Sequence, residues 1–186
     1  ADETNGTSVQ FTPLNPVAIA NLVQNDLKRY NGLGGITAEV SIIKGLTFRT
    51  SLNGNGTWSD GRFFSPNYTL GNRPASVASL NLSSSKSLYW NWSQLLQYNT
   101  KLGKHHIGLM IGHESQESRW QGLNGSRTGF VSNGVAELGL GNAQGQQNGS
   151  YKGSNAMESY LARVNYTFND KYIVQGAFRA DGSSQF

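Results

Sequence analysis

The stretch ITAEVSIIKGLTFRTSLN, residues 36–53, decides the fold class of this 186-residue chain. Apolar and polar residues alternate along it, so Ile36 and Val40 fall on one face of an extended chain while their neighbours fall on the other. Lys44-Gly45 supplies a two-residue turn, and the alternation then resumes. This pattern predicts a β-hairpin with one apolar and one polar face.

Two further pairs of alternating segments follow. Residues 88–114 form the second pair around a connection at 100–105, and residues 160–181 form the third around the turn Asn169-Asp170-Lys171. Six strands in three antiparallel hairpins are therefore expected. The residues predicted to share the apolar face are Ile36, Ala38, Val40, Ile42, Leu46, Phe48, Leu52, Leu88, Trp90, Trp92, Leu96, Tyr98, Ile107, Leu109, Ile111, Tyr160, Ala162, Val164, Tyr166, Phe168, Tyr172, Val174 and Phe178.

The charged residues inside these segments are all predicted to lie on the polar face: Glu39, Arg49, Glu114, Arg163, Arg179 and Asp181. A two-sided sheet of this kind occurs in transmembrane β-barrels and in soluble β-sandwiches. The connections favour an up-and-down barrel, because three are tight while stretches 54–87 and 115–159 are predicted to be long extracellular loops. A soluble sandwich, acting as a carbohydrate-binding or adhesive module, is the alternative.

Aromatic residues add a second indication of a membrane barrel. One group is expected beside the tight turns and another toward the loop ends, as in the two aromatic belts at membrane interfaces. The first group is Tyr98, Tyr166, Phe168 and Tyr172, and the second is Trp58, Trp90 and Trp92.

A helical pattern precedes the sheet. Asn15 is suited to cap a helix, Pro16 suits its first position, and apolar residues continue at helical spacing to Leu27. We therefore expect residues 1–31 to be an extracellular segment with a short helix, and residues 32–186 to supply the strands and loops.

The composition argues against several function classes. The net charge is +4, but the basic residues are scattered and no nucleic-acid-binding motif is present, so no nucleic-acid partner is expected. The chain has no cysteine and no GxSxG, P-loop or GxGxxG motif. We therefore expect neither an enzyme nor a bound cofactor.

A cluster of histidines and carboxylates is the one candidate for a metal site. It comprises His105, His106, His113, Glu114 and Glu117. His106 and His113 would point to opposite faces of a strand, and the spacing is not HExxH, so no metal site is expected.

Exposed aromatics in the predicted loops are the candidate substrate contacts, because flat rings stack on sugar rings or dock a partner protein. The residues chosen are Trp58, Tyr68, Trp120 and Tyr151. Ordinary packing within the loops is the alternative for each.

The final segment, from Tyr160 to Phe186, resembles a motif of the SusC/RagA family of TonB-linked outer-membrane proteins, in which an RxNY strand leads through DKY to RxDGSSxF. Two further segments are similar to segments of the same family. They are the NPV of residues 15–17 and the hairpin around the KGL of residues 44–46. Ala180 and Gln185 stand where basic residues are common in the family. The similarity spans nearly the whole chain.

This resemblance implies a piece of a large barrel with an internal plug, located in the bacterial outer membrane. It implies as partners a SusD-like surface lipoprotein, the TonB complex and outer-membrane lipid. The expected cargo is a glycan, or in some members a peptide. The plug and the remaining strands would lie outside this chain, since such barrels have about 22 strands.

Overall fold

The structure, a computed structural model, describes residues 16–70 and 73–185. The segments in which apolar and polar residues alternate form long strands. Their backbones hydrogen-bond to neighbouring strands, and successive side chains point to opposite faces of the sheet. Within the described residues, a short helix α1 (Pro16–Leu22) precedes the strands. The strands are β1 (Gln24–Ile43), β2 (Leu46–Ser65), β3 (Tyr68–Leu70), β4 (Arg73–Ala75), β5 (Ser79–Leu102), β6 (His105–Thr128), β7 (Gln147–Phe168) and β8 (Tyr172–Ser183).

Six of these strands form one sheet in the order β1-β2-β5-β6-β7-β8, and β3 pairs with β4 separately. Neighbours in the large sheet follow one another along the chain apart from the β3–β4 insertion, which confirms the predicted up-and-down order. In the third hairpin Ala162 pairs with Phe178 and Tyr166 with Val174, so the apolar residues predicted for its two strands share a face.

Three tight turns join the hairpins, and each uses left-handed backbone. Gly45 has φ +83°, Gly103 has φ +58°, and Asn169 and Asp170 both have φ 52°. Glycine, asparagine and aspartate tolerate this conformation better than other residues, which explains why they occupy the turns. Neighbouring turns are tied together, since the Asn169 backbone N–H donates to the Lys104 carbonyl at 2.8 Å.

The strands are longer than the sequence pattern predicted. Residues 100–105 do not form an open connection, because β5 and β6 continue to the two-residue turn Gly103-Lys104. The stretches 54–87 and 115–159, predicted to be loops, are largely strand. Within the described residues, the connections between β2 and β5 and between β6 and β7 lie outside the large sheet, and both are shorter than the predicted loops.

The start of the chain also differs from expectation. The helix ends at Leu22 and β1 begins at Gln24, before the predicted boundary at residue 32, so Leu27 lies on a strand. The predicted cap, Asn15, is outside the described residues.

The chain divides into two compact units. The sheet unit comprises Lys28–Asp60, Ser84–Leu123 and the residues from Ser150 onward; the loop unit comprises the residues up to Leu27, Gly61–Ser83 and Asn124–Gly149.

The sheet unit exposes its apolar face. Trp90, Leu109 and Val164 are 37%, 42% and 44% exposed, and no second large sheet covers them in the described part of the chain. The opposite, polar face is the more enclosed one, and Ser159 on it is fully buried. A sandwich would bury the apolar face, so the sandwich alternative is wrong for this fold.

The loop unit has a small conventional core. Leu80 and Phe64 are buried, and the Phe64 ring meets the Phe130 ring edge-on with 5.8 Å between centroids. Ala78 and Ala136 complete this cluster. The Gly129 N–H donates to the Ala78 carbonyl at 2.9 Å. This hydrogen bond links the connection before β5 to the connection after β6.

Candidate functional site

The polar face of the sheet unit carries a network of charged and amide side chains. Arg179 lies at its centre: its guanidinium contacts Asp181 at 2.7 Å, the Ser159 hydroxyl at 3.0 Å and Glu114 at 3.7 Å. The Asn91 amide donates to Glu114 at 2.6 Å. Arg179, Glu114 and Asp181, which were predicted to lie on the polar face, are therefore in contact on that face.

Two further pairs of polar side chains lie on this face in the first hairpin. Arg49 contacts Glu39 at 2.6 Å, and the hydroxyls of Thr37 and Ser51 lie 2.9 Å apart. Both pairs bridge β1 and β2 directly, because cross-strand neighbours on one face lie within side-chain reach. The face is thus hydrophilic over several strands.

Trp120 and Tyr151 extend the polar face with two aromatic rings. A Cβ placed on Gly153 would meet Trp120 ring atoms at 2.5–2.7 Å, and one on Gly122 would meet Tyr151 ring atoms at the same distances. Each ring therefore lies over a glycine on the neighbouring strand. Both rings remain exposed, at 38% and 55%.

The polar face also has a groove of about 340 Å³. Its lining includes Tyr89, Gln116 and Asn155, and the Tyr89 hydroxyl donates to the Gln116 side-chain oxygen at 2.8 Å. Gln116 and Trp120 belong to the same face of β6, since they are separated by an even number of residues. A polar groove and an aromatic pair thus share one face of the sheet unit.

The four aromatics selected from the sequence have different positions. Trp58, Trp120 and Tyr151 lie on strands rather than in loops, because the strands extend further than predicted. Trp58 covers Gly56 on the apolar face, where Leu88 also reaches Gly56. Tyr68 begins the small β3–β4 hairpin in the loop unit.

The histidines do not converge. His113 contacts Gln94 at 2.9 Å and Glu158 at 2.8 Å, whereas His106 approaches Asp170 at 3.4 Å. Their odd separation along β6 places them on opposite faces. Among residues 16–70 and 73–185, no group of three potential metal ligands comes together.

Sequence reasoning missed a set of charged side chains on the apolar side of the strands. Asp60, Lys86, Arg119 and Lys152 were assigned to loops, but all four lie on strands in the sheet unit. Continuing the alternation of the flanking strands beyond residues 54, 88, 114 and 160 predicts all four on this face, although the pattern passes Gly54 and Gly56 before Asp60 and Gly153 before Lys152.

In the part of the chain that the structure describes, no helix has the length and apolar character required to cross a membrane.

Comparison with family models yields no match. Two curated relatives from Formosa agariphila match 92% of the chain. TonB-dependent receptor P3 is 29% identical over 175 residues, and TonB-dependent receptor P26 is 28% identical over 189 residues. The chain spans 17% and 18% of their respective lengths. Neither relative is named as an enzyme.

Solved structures show the same fold. The RagAB peptide transporter superposes with a TM-score of 0.82 at 20% identity, over 90% of this chain and 19% of the compared chain. The RagAB peptide importer in its open-open state gives the same values. Together, the relatives and the fold confirm the resemblance to TonB-dependent receptors of the SusC/RagA type and an outer-membrane location.

Proposed function

We propose that this chain forms part of the wall of a TonB-dependent importer, with its apolar face in lipid and its polar face toward the lumen. The observation that carries the proposal is the exposure of the two faces: Trp90, Leu109 and Val164 are exposed on the apolar face, while Ser159 is fully buried on the polar face. In water such an apolar surface would promote aggregation, whereas in a bilayer it is the stable arrangement.

The proposed importer has further parts outside this chain. A plug, additional strands, a SusD-like surface lipoprotein and the TonB complex are carried over from the family resemblance. The two edge strands, β1 and β8, support the need for additional strands, since each leaves one side without a partner in the described sheet. Membrane barrels close so that no strand edge meets hydrocarbon. We propose that residues 1–31 are extracellular, and that the part of this segment from Gln24 onward belongs to strand β1.

For the cargo, we propose a glycan that contacts Trp120 and Tyr151. Both rings lie on the proposed lumen side and present accessible surface, and an aromatic face stacks on the apolar face of a sugar ring. Trp58 does not fit this role because it belongs to the apolar side. A contact from Tyr68 stays a separate proposal, since Tyr68 belongs to the loop unit.

A peptide is the second candidate cargo. Its support is the fold similarity to a structure described as a peptide transporter, together with the amide and carboxylate groups along the polar face. These groups could bond with peptide N–H and C=O groups.

Transport by the intact protein tests the cargo and the role of the rings. The double variant Trp120→Ala/Tyr151→Ala should weaken the apparent affinity for an imported oligosaccharide on the order of ten-fold, since each aromatic contact contributes about 0.5–1.5 kcal/mol. The matched control is Trp58→Ala, which removes an aromatic ring from the other face and should leave that affinity unchanged.

Uptake assays with labelled oligosaccharides and labelled oligopeptides separate the two candidates. Uptake of peptides alone, in a strain that assembles the protein normally, would contradict the glycan assignment. An equal effect of Trp58→Ala would contradict the assignment of the two faces.

A further inference from the structure

The exposed apolar side of the sheet unit changes character along its strands. Lys86, Gln121 and Lys152 line two adjoining grooves of about 700 Å³ and 450 Å³. The larger groove also has Trp58 and Asp60 in its lining. The shared lining places the two lysines in one continuous patch, where they lie beside Trp58 and Leu88.

Alternation places this patch on the same face as the apolar residues. Lys86, Leu88 and Trp90 are successive residues on one face of β5, because side chains alternate along a strand. The Trp90 indole N–H donates to Glu117 at 3.2 Å, so the tryptophan directly contacts a charged residue that lines the smaller groove. Moving along β5 away from the Gly103 turn, the face therefore passes from apolar residues through tryptophan to lysine.

Lys86 and Lys152 are the two cations of the patch that have no carboxylate partner among the described residues, and they outnumber its one carboxylate without an ion pair, Asp60. Arg119 is paired with Glu117 at 2.5 Å, and Asp60 accepts a hydrogen bond from the Ser84 hydroxyl at 2.7 Å. Neither Lys86 nor Lys152 has an ion pair or side-chain hydrogen bond in the parts of the chain that the structure describes. Both are exposed and are available to an external anion.

We propose that Lys86 and Lys152 bind the phosphate of a phosphorylated lipid headgroup in the outer leaflet of the outer membrane. The inference rests on the proposed orientation of the sheet, with its apolar face in lipid. Residues just beyond an aromatic belt lie at headgroup depth, and a lysine there is attracted to anionic lipid. The Gln121 side-chain amide, which lines both grooves, is a further donor for a phosphate oxygen.

Lipid binding to the intact protein in detergent tests this proposal. Native mass spectrometry with diphosphorylated lipid A as the probe should show a loss of affinity of about five-fold for Lys86→Gln or Lys152→Gln. The double variant should lose on the order of 25-fold, since each lysine near a lipid surface contributes comparably. The matched control, Lys44→Gln/Lys104→Gln, changes two turn lysines and should bind as the unmodified protein does.

Two comparisons identify the bound group. Lipid A without phosphates should bind the unmodified protein as weakly as diphosphorylated lipid A binds the double variant. Inorganic phosphate at the same phosphate concentration should fail to compete. Equal binding of the dephosphorylated lipid, or full competition by inorganic phosphate, would overturn the lipid-phosphate assignment.

A separate measurement checks the orientation. Brominated phospholipids should quench tryptophan fluorescence of the reconstituted protein, and Trp92→Phe should reduce that quenching. Quenching together with unaltered lipid A binding by the double lysine variant would refute the headgroup site and leave the proposed wall intact. Absence of quenching would refute the orientation itself.

Discussion

The loop unit and the sheet unit bury opposite kinds of surface. In the loop unit Phe64, Leu80 and Phe130 turn inward and pack on one another, as in a water-soluble protein. In the sheet unit Trp90, Leu109 and Val164 face outward, while Ser159 is enclosed. The difference shows that apolar residues are placed according to the surrounding medium, which is water for one surface and, as proposed, hydrocarbon for the other.

The largest expected effect comes from truncating one leucine in each unit. Leu80→Ala should lower the free energy of unfolding by about 2–5 kcal/mol, because it loses transfer energy and leaves a cavity. Leu109→Ala should cost about 1–2 kcal/mol, since lipid chains fill the space that is vacated and only the transfer energy is lost. Denaturant unfolding of the intact protein in bilayers measures both; equal losses would contradict the contrast between the units.

A charge placed at two depths on one face of β7 should have the next largest effect. Val164→Arg should destabilise the protein by about 2–4 kcal/mol if Val164 lies near the bilayer midplane. Ser154→Arg, on the same face beside Lys152, should cost about 1 kcal/mol or less. The folded fraction, measured by heat-modifiable electrophoretic mobility, compares the two, and similar losses would argue against a membrane boundary between them.

The smallest expected effect concerns the enclosed polar face. Arg179→Gln should cost about 1 kcal/mol or less, because its partners Glu114 and Asp181 remain partly exposed to solvent. Salt should reduce the difference in stability between this variant and the unmodified protein, since ion pairs are screened. The control Arg163→Gln lies on the same face, where the Arg163 guanidinium donates to the neutral Asn165 amide at 3.3 Å. A salt response of equal size in both variants would contradict an ion-pair role for Arg179.

Much of the hairpin architecture could be predicted from local sequence. Alternation gave the two faces, and residues that tolerate positive φ marked the turns at Gly45 and Asn169-Asp170. The pairing of Val164 with Gly176 follows once that turn is placed, because register is set by turn length.

The strand ends could not be predicted in the same way. Glycine weakens strand propensity, so the stretches around Gly122 and Gly153 were interpreted as loops. In the structure the Tyr151 and Trp120 rings cover these glycines from the neighbouring strand. These contacts join residues about 30 positions apart, so neither the sequence around Gly122 nor the sequence around Gly153 predicts them by itself. The same error placed Trp58 among the candidate substrate contacts.

The sequence alone determined which side chains share a face, because backbone geometry makes side chains alternate along any extended strand. Only the tertiary structure decided how far the strands extend, which face is enclosed, and that Lys86 and Lys152 line common grooves. These properties depend on contacts between residues on different strands, and no local period encodes such contacts.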